Sequence, residues 1–173
     1  MSAFEERAWL SSYAEWTPPE VDLGDDTILD LYEETLSKRS YKNAMWFFGR
    51  TITYSELDKQ VRSCAAGLKA FGVRPGDRVA LVMPNCPQFV ISFLAVLRLG
   101  ASVVAHNPLY TAHELRAQFN DHGARVAIMW DKAVENLAQL RNDTPLETIV
   151  SVDMTKAMPK YMELALKYVP LKK

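Results

Sequence analysis

The stretch that decides the fold runs from Arg78 to His106 and reads RVALVMPNCPQFVISFLAVLRLGASVVAH. Its first part, RVALV (Arg78–Val82), is a short apolar run of the kind a buried strand uses. PQFVISFLAVLRLG follows, a helical segment apolar on nearly every side and closed by Gly100. SVVA is then a second strand. Strand, helix and strand in this order form a right-handed crossover with parallel strands. A helix that is apolar all round belongs over the middle of a sheet face, covered by other elements.

Working outward, the same alternation continues downstream. Thr111–His122 reads as a helix, RVAIM (Arg125–Met129) as a strand, Asp131–Arg141 as a helix and ETIVSV (Glu147–Val152) as a last strand. Upstream, Leu57, Val61, Cys64, Ala65 and Leu68 recur at helical spacing after Thr53. Before them, NAMWFFGRTIT holds two apolar runs around Gly49-Arg50, and glycine first of two loop residues predicts a type II′ hairpin turn there. Asp26 or Thr27 caps a helix running through about Leu36. The fold class is therefore α/β: a doubly wound, mainly parallel sheet with helices on both faces, plus an antiparallel hairpin. The chain divides into an N-terminal arm (1–25), the α/β unit (26–155) and a linker with a short helix (156–173).

The strand SVVA ends in VVAHNPLYTAHEL (Val103–Leu115), the place to look for chemistry of the chain's own. Thr111-x-x-Glu114 is a capping box, with Tyr110 and Leu115 as its hydrophobic staple. Thr53-x-x-Glu56 repeats the device with Ile52 and Leu57. His106 and Asn107 are not explained by helix-start grammar. They follow a parallel strand at its carboxyl end, where open α/β sheets place ligand crevices, and Pro108 holds Asn107 in extended geometry. Both are candidate crevice residues; Asn107 as a turn residue and His106 as a hydrogen-bonded, half-buried ring are the plainer readings.

Composition and motifs exclude much else. The chain has 173 residues, 49% of them hydrophobic, which suits one domain with a sizeable core. Twenty Lys and Arg against 21 Asp and Glu give a net charge of −1, against a nucleic-acid binder. The two cysteines, Cys64 and Cys86, lie in segments that read as helical and are expected as small core residues of a cytosolic, reduced protein. No apolar run approaches the ~20 residues of a membrane span. The acids of MSAFEERAWL are unlike a signal peptide. His113 and His122 fall on opposite faces of one helix, and no metal-ligand spacing stands out. The seven glycines stand singly, so no GxGxxG and no GxxxxGK[ST] occurs, and there is no GxSxG elbow. No catalytic, cofactor-binding or metal residue is assigned.

Two end segments remain. The tail KAMPKYMELALKYVPLKK has five lysines against one glutamate and places Tyr161, Leu164, Ala165 and Tyr168 on one side of a helix. It reads as a helix whose packing partner has been removed, in a truncated chain, with at most a peripheral contact to an anionic membrane surface. The arm carries Trp9, Tyr13 and Trp16 before Pro18-Pro19. It is expected to lie along its own domain or to reach a second subunit.

Four stretches carry a resemblance: WLSSYAEWTPPEVDL (Trp9–Leu23), the long run from Arg50 to Val126, the aromatic hairpin MWFFG and the strand ETIVSV. In these the chain resembles the N-terminal part of the adenylate-forming acyl-CoA synthetases, and is most similar to the long-chain fatty acid–CoA ligases. The resemblance implies a parent enzyme that uses ATP and Mg to convert a fatty acid to an acyl-adenylate and diphosphate, then transfers the acyl group to coenzyme A. The family's phosphate loop, adenine motif, magnesium-binding acid and C-terminal lysine would all lie beyond Lys173. The 173 residues alone are therefore expected to be inactive scaffold with no tightly bound cofactor. Cysteine usage and the basic tail point to a cytoplasmic protein, peripheral at most at the inner membrane surface, and the resemblance makes Trp9, Tyr13 and Trp16 candidate homodimer contacts. It uses the NP-x-YT turn as a structural corner. A medium-chain or aryl acid ligase is the alternative within the family. Outside it, a stand-alone flavodoxin-like nucleotide-binding module or an interaction module is the alternative.

Overall fold

Local sequence chemistry sets the elements, and a computed structural model describes residues 6–21 and 24–168 of them. After a 3-10 turn at Ala8–Ser12, α1 (Ile28–Arg39) leads to a hairpin of β1 (Asn43–Phe47) and β2 (Arg50–Thr53). Then come α2 (Tyr54–Ala70), β3 (Arg78–Val82), α3 (Pro87–Arg98), β4 (Ser102–His106), α4 (Ala112–His122) and β5 (Val126–Trp130). The chain continues through α5 (Asp131–Leu137), a 3-10 turn at Ala138–Asn142, β6 (Thr148–Val152), another at Met154–Ala157, and α6 (Lys160–Tyr168).

Strand order in the main sheet is β4-β3-β5-β6, and each neighbouring pair is parallel. The chain moves one way from β3 to β4 and the other way from β4 to β5, so the sheet is doubly wound as its alternating pattern requires. Pleating splits the strands between two cores. Val79, Leu81, Val126 and Ile128 face α2 and α3, where Val61, Leu68, Ala95 and Val96 meet them. Ala80, Val82, Ala127 and Met129 face the other way, onto Leu115, Phe119, Leu140 and Leu146. Each fully buried Leu, Val or Phe contributes ~1.5–3 kcal/mol of burial. Helix α3 packs against α1, α2, β3, β4 and the Met154–Ala157 turn, which accounts for its nearly all-round apolar sequence.

Three capping boxes start helices: Thr27 with Asp30, Thr53 with Glu56, and Thr111 with Glu114. Thr27 therefore caps α1, which runs three residues past Leu36. Gly100 has φ +69° and its missing Cβ would lie 3.3 Å from the Pro75 Cβ, so a side chain at the α3–β4 joint would be strained and would press on Pro75.

Three expectations are corrected. The hairpin turn is Phe48-Gly49, not Gly49-Arg50, because Phe47 pairs with Arg50 and draws the arginine into the strand. Phe48 and Gly49 both have positive φ, 49° and 92°, the type I′ pattern, and the Phe48 ring stands edge-on to Phe47 at 4.8 Å. The expected helix over Asp131–Arg141 stops at Leu137, where a 3-10 turn rotates Leu140 into the second core. Cys86 is not within a helix but is the residue preceding α3, and it is buried, while Cys64 is half-buried in α2.

Candidate functional site

Open parallel sheets offer ligands the carboxyl ends of their strands, at the point where strand order reverses. Here that point lies between β3 and β5. Trp130 ends β5 half-buried and separates two hollows. One, of about 490 Å³, is bounded by the Pro108–Ala112 corner, Trp130, Lys132 and Gln139. The other, of about 650 Å³, is bounded by Trp130, Asp131, Asp153, Lys156 and Glu163.

Polar groups around these hollows are engaged with one another. The Leu109 amide donates to Asn107 Oδ1 at 3.0 Å, and the Tyr110 amide donates to the Asn107 carbonyl oxygen at 3.2 Å. Asn107 thus closes the corner on itself. The Thr111 amide and hydroxyl donate to Glu114 Oε2 at 2.7 and 2.8 Å, which holds the Glu114 carboxyl below the usual range. The Thr155 hydroxyl and amide donate to Asp153 at 2.6 and 2.9 Å and lower that carboxyl too. Lys132 pairs with Asp131 at 3.4 Å, and Lys156 pairs with Glu163.

His106 enters a cluster that local spacing did not reveal. Its Nδ1 lies 2.8 Å from Gln118 Oε1, and its Nε2 lies 3.1 Å from His122 Nε2. The Ala124 amide donates to His122 Nδ1 at 3.0 Å. Phe119 lies under both rings, stacked on His106 with centroids 5.4 Å apart and tilted to His122 at 4.8 Å. Burial holds the His106 pKa below its ordinary value, and burial, with His106 beside it, pushes His122 down to about 4. Sixteen residues separate the two histidines, and only the β4–α4 crossover brings them together. The remaining histidine, His113, is exposed.

A third hollow of about 650 Å³ lies between α2, α3 and the β5–β6 side of the sheet. Cys64, Leu68, Ile91, Ile128 and Val150 give it an apolar floor. Burial raises the Cys64 thiol, against a smaller opposing pull from its hydrogen bond with Ser92, so it is a poor source of thiolate. Beyond α3, Arg98 bridges three helices by bonding Asp58 at 3.3 Å and Glu33 at 3.2 Å. Burial, with Asp58 nearby, pushes the neighbouring Tyr32 hydroxyl up to about 12.

The arm folds on itself. Arg7 pairs with Glu20 and donates to the Pro19 carbonyl oxygen at 3.0 Å. Trp9, Tyr13 and Trp16 are all exposed, Trp16 most of all at 86%. In α6, Tyr161, Leu164 and Tyr168 are likewise exposed, at 70, 54 and 73%. The end of the expected tail, 169–173, lies outside the described residues.

These residues do not fit a nucleotide or metal site. The strand-end sequences Met83-Pro84-Asn85-Cys86, Asn107-Pro108 and Asp153-Met154 hold no glycine-rich loop that would aim several amides at a phosphate. Among the described residues, no three His, Cys, Asp or Glu side chains are grouped to hold a metal ion. No helix among them is long and apolar enough to cross a membrane.

Comparison with known proteins places the chain in a family. The long-chain-fatty-acid–CoA ligase of Bacillus subtilis (strain 168) is 32% identical over 154 residues, 89% of this chain and 28% of that protein. The 4-coumarate–CoA ligase 4 of Arabidopsis thaliana is 41% identical over 105 residues, 61% of this chain and 18% of its own. The solved structure of an anthranilate CoA ligase with anthranoyl-AMP matches with a TM-score of 0.69 and 27% identity, covering 74% of this chain and 26% of that one. The chain spans little more than a quarter of the long-chain-fatty-acid–CoA ligases it matches. The family described as "AMP-binding enzyme" matches residues 32–168, and the chain belongs to that family.

Proposed function

We propose that this chain is the N-terminal scaffold of a long-chain fatty acid–CoA ligase. The supporting observation is the 32% identity to the Bacillus subtilis ligase across 89% of the chain. The whole protein would join a fatty acid to ATP, releasing diphosphate and forming an acyl-adenylate. The coenzyme A thiol would then displace AMP to give the acyl-CoA. A carboxylate is a poor electrophile until adenylate becomes its leaving group, so such a reaction turns on neutralising phosphate charge. In this reading the groups that do so belong to the rest of the protein, and no step is assigned to these side chains. Their part is to hold the strand ends and the Asn107–Thr111 corner in fixed geometry.

An aryl acid substrate is the second reading, and the 41% identity to a 4-coumarate–CoA ligase over 105 residues favours it. The experiment is a coenzyme A acylation assay on the 173-residue chain and on the polypeptide of its full reading frame, each with Mg-ATP and either palmitate or 4-coumarate. Expected are no product from the chain alone and palmitoyl-CoA from the full polypeptide. Coumaroyl-CoA as the preferred product favours the aryl reading. Activity in the isolated chain refutes the scaffold role.

A further inference from the structure

The His106–His122 contact admits only one arrangement of protons. A backbone amide can only donate, so the Ala124 N–H, 3.0 Å from His122 Nδ1, requires that nitrogen to be unprotonated. In the neutral ring the proton then sits on His122 Nε2. That N–H points at His106 Nε2, 3.1 Å away, which must accept. His106 therefore carries its proton on Nδ1 and donates to Gln118 Oε1 at 2.8 Å. The direction of one backbone amide fixes both tautomers and the orientation of the glutamine amide.

We propose that His106 and His122 form an acid-released clasp that ties the end of β4, and the Asn107–Thr111 corner after it, to the end of α4. The two ring nitrogens that could take a further proton are His122 Nδ1 and His106 Nε2. The first faces the Ala124 N–H and the second faces the His122 N–H. Either protonation sets donor against donor and breaks one link. Phe119 packs on both rings and resists their turning away. The geometry also disfavours a metal ion between the rings, since the Ala124 amide keeps the proton on the His122 nitrogen that a metal would need.

The charged groups that face the pair are Asp121 of α4, which raises the His122 pKa, and Arg78 of β3. Arg78 lowers it and donates to the His122 carbonyl oxygen at 3.3 Å. Gln118 and Phe119 of α4 are neutral, and β4 presents Val104 and Ala105 beside His106. Burial outweighs Asp121, and His122 stays neutral down to about pH 4. An unfolded chain would protonate both rings below ~6.5. The folded rings resist that proton, so stability is complete above ~6.5 and falls as the pH drops toward the folded values.

The test is imidazole nitrogen NMR of the labelled chain, titrated from about pH 7.5 to about pH 2.5. Expected are the Nε2–H tautomer at His122, the Nδ1–H tautomer at His106, and a His122 midpoint near 4. Exchange of the Ala124 amide, corrected for intrinsic chemistry, should quicken about tenfold or more across that midpoint. The opposite tautomer at either ring, or exchange that does not change there, overturns the proposal. In His106→Gln, the His122 midpoint should rise toward ~6.5, and an unmoved midpoint overturns the coupling of the rings. Readings on the unsubstituted chain decide the matter even if that variant fails to fold.

Discussion

Phe119 tests whether the second core and the histidine pair are one structure. Its side chain is fully buried among Leu115, Met129 and Leu140, with His106 and His122 against its ring. On one side lies the sheet, where Ala80, Val82 and Ala127 sit on strands hydrogen-bonded to both neighbours, so the site cannot collapse to fill a hole. Phe119→Ala should therefore cost ~3–5 kcal/mol, the usual range for a phenylalanine truncated in a rigid core. Against a total stability of ~5–15 kcal/mol, that is a large share. Phe119→Leu keeps most of the volume and should lose about 1–2 kcal/mol, including the ~0.5–1.5 kcal/mol of ring stacking. The assay is urea unfolding followed by tryptophan fluorescence. With a slope of ~2 kcal/mol per molar, the alanine variant's midpoint should fall by about 1.5–2.5 M. A loss below ~1 kcal/mol for Phe119→Ala would refute the packing described for this face of the sheet.

Further tests address single devices. Gly100→Ala should cost about 1–2 kcal/mol in thermal unfolding, since the new methyl meets Pro75 at 3.3 Å and φ is +69°; Gly67→Ala, with open space around it, should not destabilise. Thr111→Ala removes a helix cap and should cost ~1 kcal/mol. It should also let the Glu114 carboxyl rise toward its ordinary value, because the bond from the Thr111 hydroxyl lowers it alongside the larger effect of the bond from the Thr111 amide. The stabilising effect of that carboxylate is present above the unfolded pKa and fades as pH falls through the lowered one, a fade that carbon NMR of Glu114 should show shifted upward in the variant. Asp58→Ala should cost about 2–3 kcal/mol and Glu33→Ala about 0–1, because the Asp58 side chain is 13% exposed and the Glu33 side chain 55%. Ultraviolet titration should show the Tyr32 hydroxyl falling from about 12 in the Asp58 variant, and equal costs for the two acids would remove the distinction between them.

The sequence carried the sheet because its signals are local. Buried strands such as Arg78–Val82 are continuous apolar runs, and Thr53 and Thr111 announce helix starts within four residues. Right-handed crossovers then put helices on both faces, but the strand order β4-β3-β5-β6 is a property of the structure that the sequence pattern did not specify. What escaped depends on contacts between elements. The hairpin loop shifted by one residue because cross-strand pairing of Phe47 with Arg50 outranked the glycine-first rule. Helix α5 ended early because Leu140 had a core to reach. The histidine pair could not be read from spacing at all, since His106 is on a strand and His122 on the last turn of the following helix. One signal was present: Gln118, Phe119 and His122 share a helical face at i, i+1 and i+4, an arrangement suited to receive a ring from the strand below.

Asn107 shows why a strand end at the right topological position need not be a reaction centre. A group that binds or transfers charge must keep a donor, acceptor or lone pair for the ligand. Around these hollows the Asn107 oxygen takes the Leu109 amide, Glu114 takes the Thr111 cap, and Asp153 takes Thr155. Lys132 and Lys156 are matched to Asp131 and Glu163. Each pairing is short-range in sequence and settles the shape of a loop, so the loops are positioned by their own polar groups. Rigid placement of this kind suits the scaffold role proposed above. If the proposed ligase reading holds, a perturbation at Thr111 or Asn107 should lower stability in proportion to the lost cap or turn, and coenzyme A ligation should change only as far as the corner itself moves.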